Sequence, residues 1–198
     1  MKSLILFLLG ITSALAEPIL NREVNTMLEK IRAEHNLPSL AAITIVDGEI
    51  STIGATGLRK FNGTAKVTTQ DKWHIGSCTK SMTATLAATF IEEGKLKWDT
   101  TIQEILGQKF KVRDEYKSVS IKTLLTNRSG IPGSAPSRIW IKATSQSGKR
   151  NIKKRRTQFA KDLLTMNPEF KPGTNYAYSN SGFVVVGVML ETIAGKSW

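Results

Sequence analysis

Residues 73–80 read WHIGSCTK and place a serine three positions before a lysine, where an apolar run turns into a helical one. Residues three apart on a helix share one face, so the Ser77 hydroxyl and the Lys80 amine can meet. A serine hydroxyl becomes a good nucleophile when a neighbouring base takes its proton. Free N–H groups at a helix start also suit a developing oxyanion. The stretch therefore indicates acyl transfer through a serine ester.

The same spacing has a structural interpretation. Ser77 can cap the helix with its side chain, and Lys80 can be a solvated surface residue. Serine and lysine are both common in this chain, so the spacing alone does not separate the two interpretations. The segments that follow the tetrad distinguish the catalytic interpretation from the structural one.

Residues 81–106 have the pattern of a long helix that Gly94 ends and an acidic turn follows. Together with the Ser-x-x-Lys tetrad, this segment resembles the nucleophile helix of the serine β-lactamase and penicillin-binding protein superfamily. The likeness is to its class C-like branch, which includes D-alanyl-D-alanine carboxypeptidases and related esterases.

Two later segments resemble the same superfamily in the same order. Residues 121–133, IKTLLTNRSGIPG, resemble its LLTHTSG segment, with Asn127 and Arg128 in place of the usual His and Thr. Residues 170–198 contain a Tyr-x-Asn element at positions 178–180. Ordered agreement of three segments is more specific than any one motif. The chain is therefore identified as a member of this superfamily.

The resemblance implies an α+β fold, with an antiparallel sheet flanked by helices plus an all-helical region. Local patterns agree with this. The run from Asn21 to about His35 predicts an amphipathic helix, and residues 41–57 predict a β-hairpin around a tight Asp47-Gly48 turn. Further helices are predicted near residues 102–106, 121–127, 157–166 and 182–193.

In the resembled family, strands C-terminal to the Tyr-x-Asn helix complete the sheet and carry a Lys-Thr-Gly or His-x-Gly triplet. No such triplet follows Asn180 in this sequence. We therefore expect residues 17–198 to form a partial hydrolase domain that lacks the C-terminal strands. An acyl-transfer site without one oxyanion donor loses roughly 10²–10³ in rate, so the activity of this 198-residue chain is left open.

The resemblance also implies roles for four residues. Ser77 is the nucleophile and Lys80 its base, which can act only while its amine is uncharged. Tyr178 faces Ser77 as a phenolate or proton relay. Asn180 offers its amide to Lys80 and to the acyl side chain of the substrate.

Each of these positions has an alternative. Tyr178 can be an aromatic packing residue, and Asn180 can cap the following apolar helix. Cys78 can be argued as a thiol nucleophile with a lowered pKa, but a small side chain facing the core is the favoured interpretation.

Other hydrolase classes fit the sequence poorly. Two scattered histidines and one cysteine argue against a zinc site, and Ser77 lacks the Gly-x-Ser-x-Gly turn of α/β-hydrolases. His74 has no evident carboxylate partner for a triad. Neither a metal nor a cofactor is expected.

Residues 1–16 have the pattern of a secretory signal peptide. Lys2 precedes an apolar run over residues 4–11, and Ala14-Leu15-Ala16 provides a small-residue cleavage site. The alternative, a membrane anchor, is disfavoured because the apolar run is too short to span a bilayer. We therefore expect export to the periplasm or the extracellular space.

The chain is basic, with a formal net charge of +12. Six of the nine residues over 148–156 are Lys or Arg. Without a nucleic-acid-binding motif, this run predicts a solvated loop or helix start. Weak attraction to an anionic cell envelope is expected, and specific nucleic-acid binding is not. The sequence does not indicate an oligomeric state.

The leading interpretation is an exported serine hydrolase of the β-lactamase, D-Ala-D-Ala carboxypeptidase or esterase type. Its substrate would be a small molecule: a β-lactam, a D-Ala-D-Ala peptide or an ester. The alternative is a truncated, non-catalytic relative that binds cell-wall or ester ligands without turnover. The substitutions at Asn127 and Arg128 favour this alternative, and the intact Ser-x-x-Lys and Tyr-x-Asn elements oppose it.

Overall fold

The computed structural model describes residues 22–145 and 151–198. The signal sequence predicted at residues 1–16 and residues 148–150 of the basic run lie outside these ranges. The chain divides into two compact units, with the boundary between His74 and Ile75.

Over its described residues 22–74, the first unit contains one helix and a hairpin. Helix α1 spans Arg22–Glu34, and strands β1 (Ser39–Val46) and β2 (Glu49–Gly57) pair in antiparallel fashion. Asp47 and Gly48 form the connecting turn with φ angles of 51° and 83°, which the twist of a two-residue hairpin turn requires. The predicted helix and hairpin are both confirmed.

Helix α1 packs closely on β2 because position 54 is a glycine. A Cβ atom at Gly54 would lie 2.7 Å from Asn25 Oδ1 and 2.8 Å from a methyl group of Val24. The close approach lets Asn25 Oδ1 accept a hydrogen bond from the backbone N–H of Ala55, at 3.0 Å.

The second unit is helical in the residues that the structure describes. Its elements are α2 (Cys78–Glu92), α3 (Ile102–Leu106), α4 (Asp114–Lys117), α5 (Ile121–Leu125), α6 (Ser137–Thr144), α7 (Ile152–Leu163) and α8 (Asn180–Ala194). The helices predicted from apolar spacing are all present. Helices α4 and α6, with four and eight residues, were not predicted.

Helix α8 lies at the centre of the second unit and contacts α2, α3, α5 and α7. Val185, Val186 and Met189 are fully buried on it, in one cluster with Ile121 and Leu124 of α5. Each buried aliphatic side chain stabilises the folded chain by about 1.5–3 kcal/mol. A helix this apolar is held on several sides, so its first residues have a fixed position against α2.

The small antiparallel sheet together with many helices confirms the predicted α+β class. The side chain of Cys78 departs from its prediction. It is exposed. The buried Ala87 lies about two and a half turns further along α2, which places Cys78 on the opposite face of the helix. Within the described ranges, no helix is both long and apolar enough to cross a bilayer.

The described part of the basic run forms the start of α7, as predicted, but two of its arginines are not solvated. Arg155 and Arg156 on α7 are partly buried. The guanidinium of Arg155 donates to the carbonyl of Ala143, with Nε at 2.8 Å. Arg156 forms an ion pair with Glu191 of α8, whose side chain is 1% exposed. These arginines hold α7 in place and are not free surface charges.

Replacing Arg156 by alanine is expected to lower the free energy of unfolding by about 3 kcal/mol, because it leaves the Glu191 carboxylate buried without its counter-charge. Urea denaturation of the full chain, followed by circular dichroism, measures this. Lys154, an exposed residue of the same run, is the matched control, and Lys154→Ala should change the free energy by less than about 0.5 kcal/mol. Equal losses in the two variants would contradict the assignment.

Candidate active site

Ser77 occupies the position just before the first residue of α2 but does not cap the helix with its side chain. Gly76, with φ of 52°, makes the turn into the helix. The Ser77 hydroxyl oxygen lies 2.5 Å from the hydroxyl of Tyr178 and accepts a hydrogen bond from Lys80 Nζ at 3.0 Å. The capping interpretation of this serine is therefore wrong.

Lys80 lies one turn further along α2 and is half-buried. Besides Ser77, its Nζ donates to Asn180 Oδ1 at 2.6 Å. It lies 4.6 Å from the ring centroid of Tyr178 and 5.5 Å from that of Phe183, within the range at which an aromatic face attracts a cation. The solvated-lysine interpretation is also wrong, because every polar contact of this amine is directed into the site.

Tyr178 and Asn180 reach the site from the chain that leads into α8. Ser179 between them caps that helix, since its Oγ accepts a hydrogen bond from the Gly182 N–H at 2.9 Å. The proposed capping role of Asn180 is therefore wrong: Asn180 is the first helical residue, and its side chain binds Lys80. The four residues predicted for the site lie together, while their catalytic roles stay predictions.

The hydrogen bonds from Lys80 and Ser77 hold the pKa of the Tyr178 phenol below its ordinary value, against the small opposing effect of desolvation. A nearby ammonium favours the phenolate over the neutral phenol. At a given pH, Tyr178 therefore carries more negative charge than an isolated tyrosine, which suits a group that accepts a proton from Ser77.

We expect Tyr178 to be the first tyrosine to ionise as the pH rises. Burial raises the pKa of Tyr116, so Tyr116 should ionise last. Absorbance at the phenolate band, followed against pH, should show a first step that disappears in Tyr178→Phe and remains in Tyr176→Phe. In Lys80→Met the step should move to higher pH, because the favourable charge is gone. A first step that survives Tyr178→Phe would contradict the assignment.

A cleft of about 290 Å³ opens beside Lys80 and Asn180. Thr79 and Thr83 of α2 form one wall and Phe183 of α8 another, and the lining is mainly apolar. Arg156 and Trp198 also line it. The cleft provides room for the apolar part of a small molecule beside Lys80.

The sequence did not identify Phe183 or Arg156 as lining this cleft. A signal for Phe183 existed, because it lies three residues after Asn180 and therefore on the same face of α8. Arg156 had none, since one arginine in a basic run looks like its neighbours.

Comparison with known proteins shows the family of the chain. The family model described as Beta-lactamase matches residues 24–198. Penicillin-binding protein 4 of Amycolatopsis lactamdurans is 29% identical over 172 residues, which are 86% of this chain and 42% of that protein.

Among the solved structures that resemble the chain are a penicillin-binding protein homologue and a β-lactamase. The octameric penicillin-binding protein homologue from Pyrococcus abyssi superposes with a TM-score of 0.66 at 27% identity, over 88% of this chain and 39% of that one. A class C β-lactamase superposes with a TM-score of 0.65 at 22% identity, over 88% of this chain and 44% of that one. The chain thus spans less than half the length of these three proteins. On the match over residues 24–198 and this fold, the chain belongs to the Beta-lactamase family of serine hydrolases.

Proposed function

We propose that this chain carries the nucleophile, base and proton relay of an exported serine hydrolase that acts through an acyl-enzyme at Ser77. One observation carries the proposal: the Ser77 hydroxyl contacts both Lys80 and Tyr178 and makes no capping hydrogen bond. A serine hydroxyl is activated when a neighbouring group in its deprotonated form takes its proton, and an uncharged Lys80 or a Tyr178 phenolate could do so from these positions.

In the first step, Ser77 Oγ attacks the carbonyl carbon of an amide or ester. Its proton passes to Lys80 in its uncharged form or to the Tyr178 phenolate, both of which are within hydrogen-bond distance. The backbone N–H of Ser77, at the amino end of α2, donates to the oxyanion. The C–N or C–O bond then breaks, and the leaving amine or alcohol takes this proton from Tyr178, which holds it directly or receives it from Lys80.

In the second step, water attacks the acyl-enzyme and releases the acid. Tyr178 takes the proton of the water, and Ser77 regains one as its oxygen leaves. Asn180 Oδ1 holds Lys80 through the cycle, and the Asn180 amide N–H group donates to the acyl side chain of the substrate.

We assign as substrate a β-lactam, a D-Ala-D-Ala peptide or an ester. The mainly apolar cleft and the relationship to penicillin-binding protein 4 support this class. Export rests on the pattern of residues 1–16. The exposed Lys154 would add weak attraction to an anionic envelope, with no specific nucleic-acid binding.

The second candidate function is binding of cell-wall or ester ligands without turnover. It is favoured by the substitutions at Asn127 and Arg128 in the segment that resembles LLTHTSG. It differs from the first candidate in the release of the acyl group and not in the chemistry of Ser77.

Covalent labelling of the full chain tests both candidates. The chain is incubated with a fluorophosphonate or with benzylpenicillin, followed by intact mass spectrometry and peptide mapping. We expect an adduct on the peptide that contains Ser77. A penicillin adduct that decays with release of the acid supports a hydrolase, and one that persists supports binding without turnover. A folded chain that gives no adduct with either probe overturns the proposal.

A further inference from the structure

We infer that Asn127 is a positioning residue that holds Tyr178 against the nucleophile. This role rests on the proposed function, in which Tyr178 handles the proton of Ser77. Asn127 does not touch Ser77 or Lys80 in the described hydrogen bonds and acts through the backbone on either side of Tyr178.

Asn127 accepts hydrogen bonds from both neighbours of Tyr178. Its backbone carbonyl accepts from the N–H of Ala177 at 3.0 Å. Its side-chain Oδ1 accepts from the N–H of Ser179, also at 3.0 Å. One residue thus holds the peptide plane that follows Tyr178 and the plane between Tyr176 and Ala177. These two planes limit the direction that the Tyr178 side chain can take.

The backbone of Asn127 is suited to this task. Its φ is 57°, in the left-handed region that asparagine adopts more readily than most residues. Its own N–H donates to the carbonyl of Leu124, whose side chain is fully buried at the end of α5. The acceptor atoms of Asn127 are therefore anchored to the core of the second unit.

The following residues of the same loop complete the support. Gly133 accepts from the N–H of Asn180 at 3.1 Å, and the Ser179 hydroxyl donates to the carbonyl of Ile131 at 3.1 Å. A Cβ atom at Gly133 would lie 2.7 Å from the Tyr178 carbonyl oxygen. The loop over residues 127–133 therefore carries the Tyr178 segment at close range.

These hydrogen bonds give a structural role to Asn127, which departs from the family pattern. The sequence has Asn127 where the resembled segment has histidine, and that change favoured a non-catalytic relative. The structure shows that asparagine here supplies a side-chain acceptor for the Ser179 N–H. A substitution that keeps an acceptor and tolerates a positive φ preserves the arrangement.

Two variants at this position separate the acceptor from the backbone. Asn127→Gly tolerates the φ of 57° but removes the side-chain oxygen, and Asn127→Asp keeps an oxygen acceptor. The first readout is the ionisation of Tyr178, taken as the absorbance step that Tyr178→Phe removes. We expect Asn127→Gly to move this step to higher pH, because Tyr178 is no longer held beside Lys80. In Asn127→Asp the step should stay close to its wild-type pH.

The second readout is the rate of fluorophosphonate labelling of the full chain. Asn127→Gly should slow labelling by about 10–100-fold, the effect of a small misplacement of a reacting group, and Asn127→Asp should restore most of the rate. The exposed neighbour Arg128 is the control, and Arg128→Ala should leave both readouts unchanged.

Gly133→Ala is a second, independent variant should Asn127→Gly fail to fold. It leaves Asn127 intact and displaces the Tyr178 carbonyl, so the same upward shift of the Tyr178 step is expected. The inference is overturned if folded Asn127→Gly keeps the wild-type Tyr178 step, even where its thermal stability falls. Because the absorbance readout needs no reaction, a wild-type chain that gives no adduct contradicts the proposed function alone.

Discussion

Replacing Ser77 by alanine is expected to abolish covalent modification of the chain by a fluorophosphonate and by benzylpenicillin. The Ser77 oxygen is the atom that both Lys80 and Tyr178 contact, and no other hydroxyl on α2 has this pair of partners in the described structure. Intact mass spectrometry after incubation measures the effect, with circular dichroism to show that the variant is folded.

Two neighbours of Ser77 serve as controls. Ser81 is the next serine on α2, and its hydroxyl donates to the backbone carbonyl of Cys78, so Ser81→Ala should label normally. Cys78 is exposed, so a thiol adduct is chemically conceivable, and Cys78→Ser should keep the adduct on Ser77. Loss of labelling in Cys78→Ser, with retention in Ser77→Ala, would show that the nucleophile is the thiol.

Replacing Lys80 by methionine is expected to slow acylation of Ser77 by about 10²–10⁴-fold, the range for loss of a positioned general base. Methionine keeps the length and the apolar stem of the side chain but cannot accept the proton or bind Asn180. The second-order rate constant for fluorophosphonate labelling, measured by time-resolved mass spectrometry, reports the loss.

The control for Lys80→Met is the same substitution at a lysine outside the site, elsewhere in the second unit. Lys95 is exposed and pairs with Glu93, so Lys95→Met should leave the labelling rate unchanged. If Lys80→Met labels within about threefold of the wild-type rate, Lys80 is not the base. Tyr178 would then be the remaining proton acceptor on Ser77.

The hairpin and most of the helices were predictable because their signals are local. The Asp47-Gly48 turn fixes the pairing of β1 with β2, and apolar spacing marks α1, α5 and α8. The start of α7 was predicted five residues late. Asn151 caps this helix by accepting from the Lys153 N–H, and the cations that follow hid the apolar pattern.

In the candidate site, too, contacts between residues close in sequence were predictable and contacts between distant residues were not. The contact between Ser77 and Lys80 was predictable from their spacing on one helix. Tyr178 and Asn180 were placed in the site only through a family resemblance, because their motif lies a hundred residues away. The capping role of Ser179 was missed although the signal, a serine just before an apolar helix, is local. The exposure of Cys78 was missed because it depends on which side of α2 the rest of the chain covers.

The sequence by itself therefore determined the local elements and the chemical types at the site. A turn, a helix face or a strand pair depends on residues a few positions apart, and those preferences are present in the chain before it folds. The tertiary structure alone decided that α8 packs beside α2, that Asn127 fixes the backbone around Tyr178, and that Arg156 pairs with a buried carboxylate. These contacts arise from the packing of helices around one apolar core, which no local pattern specifies.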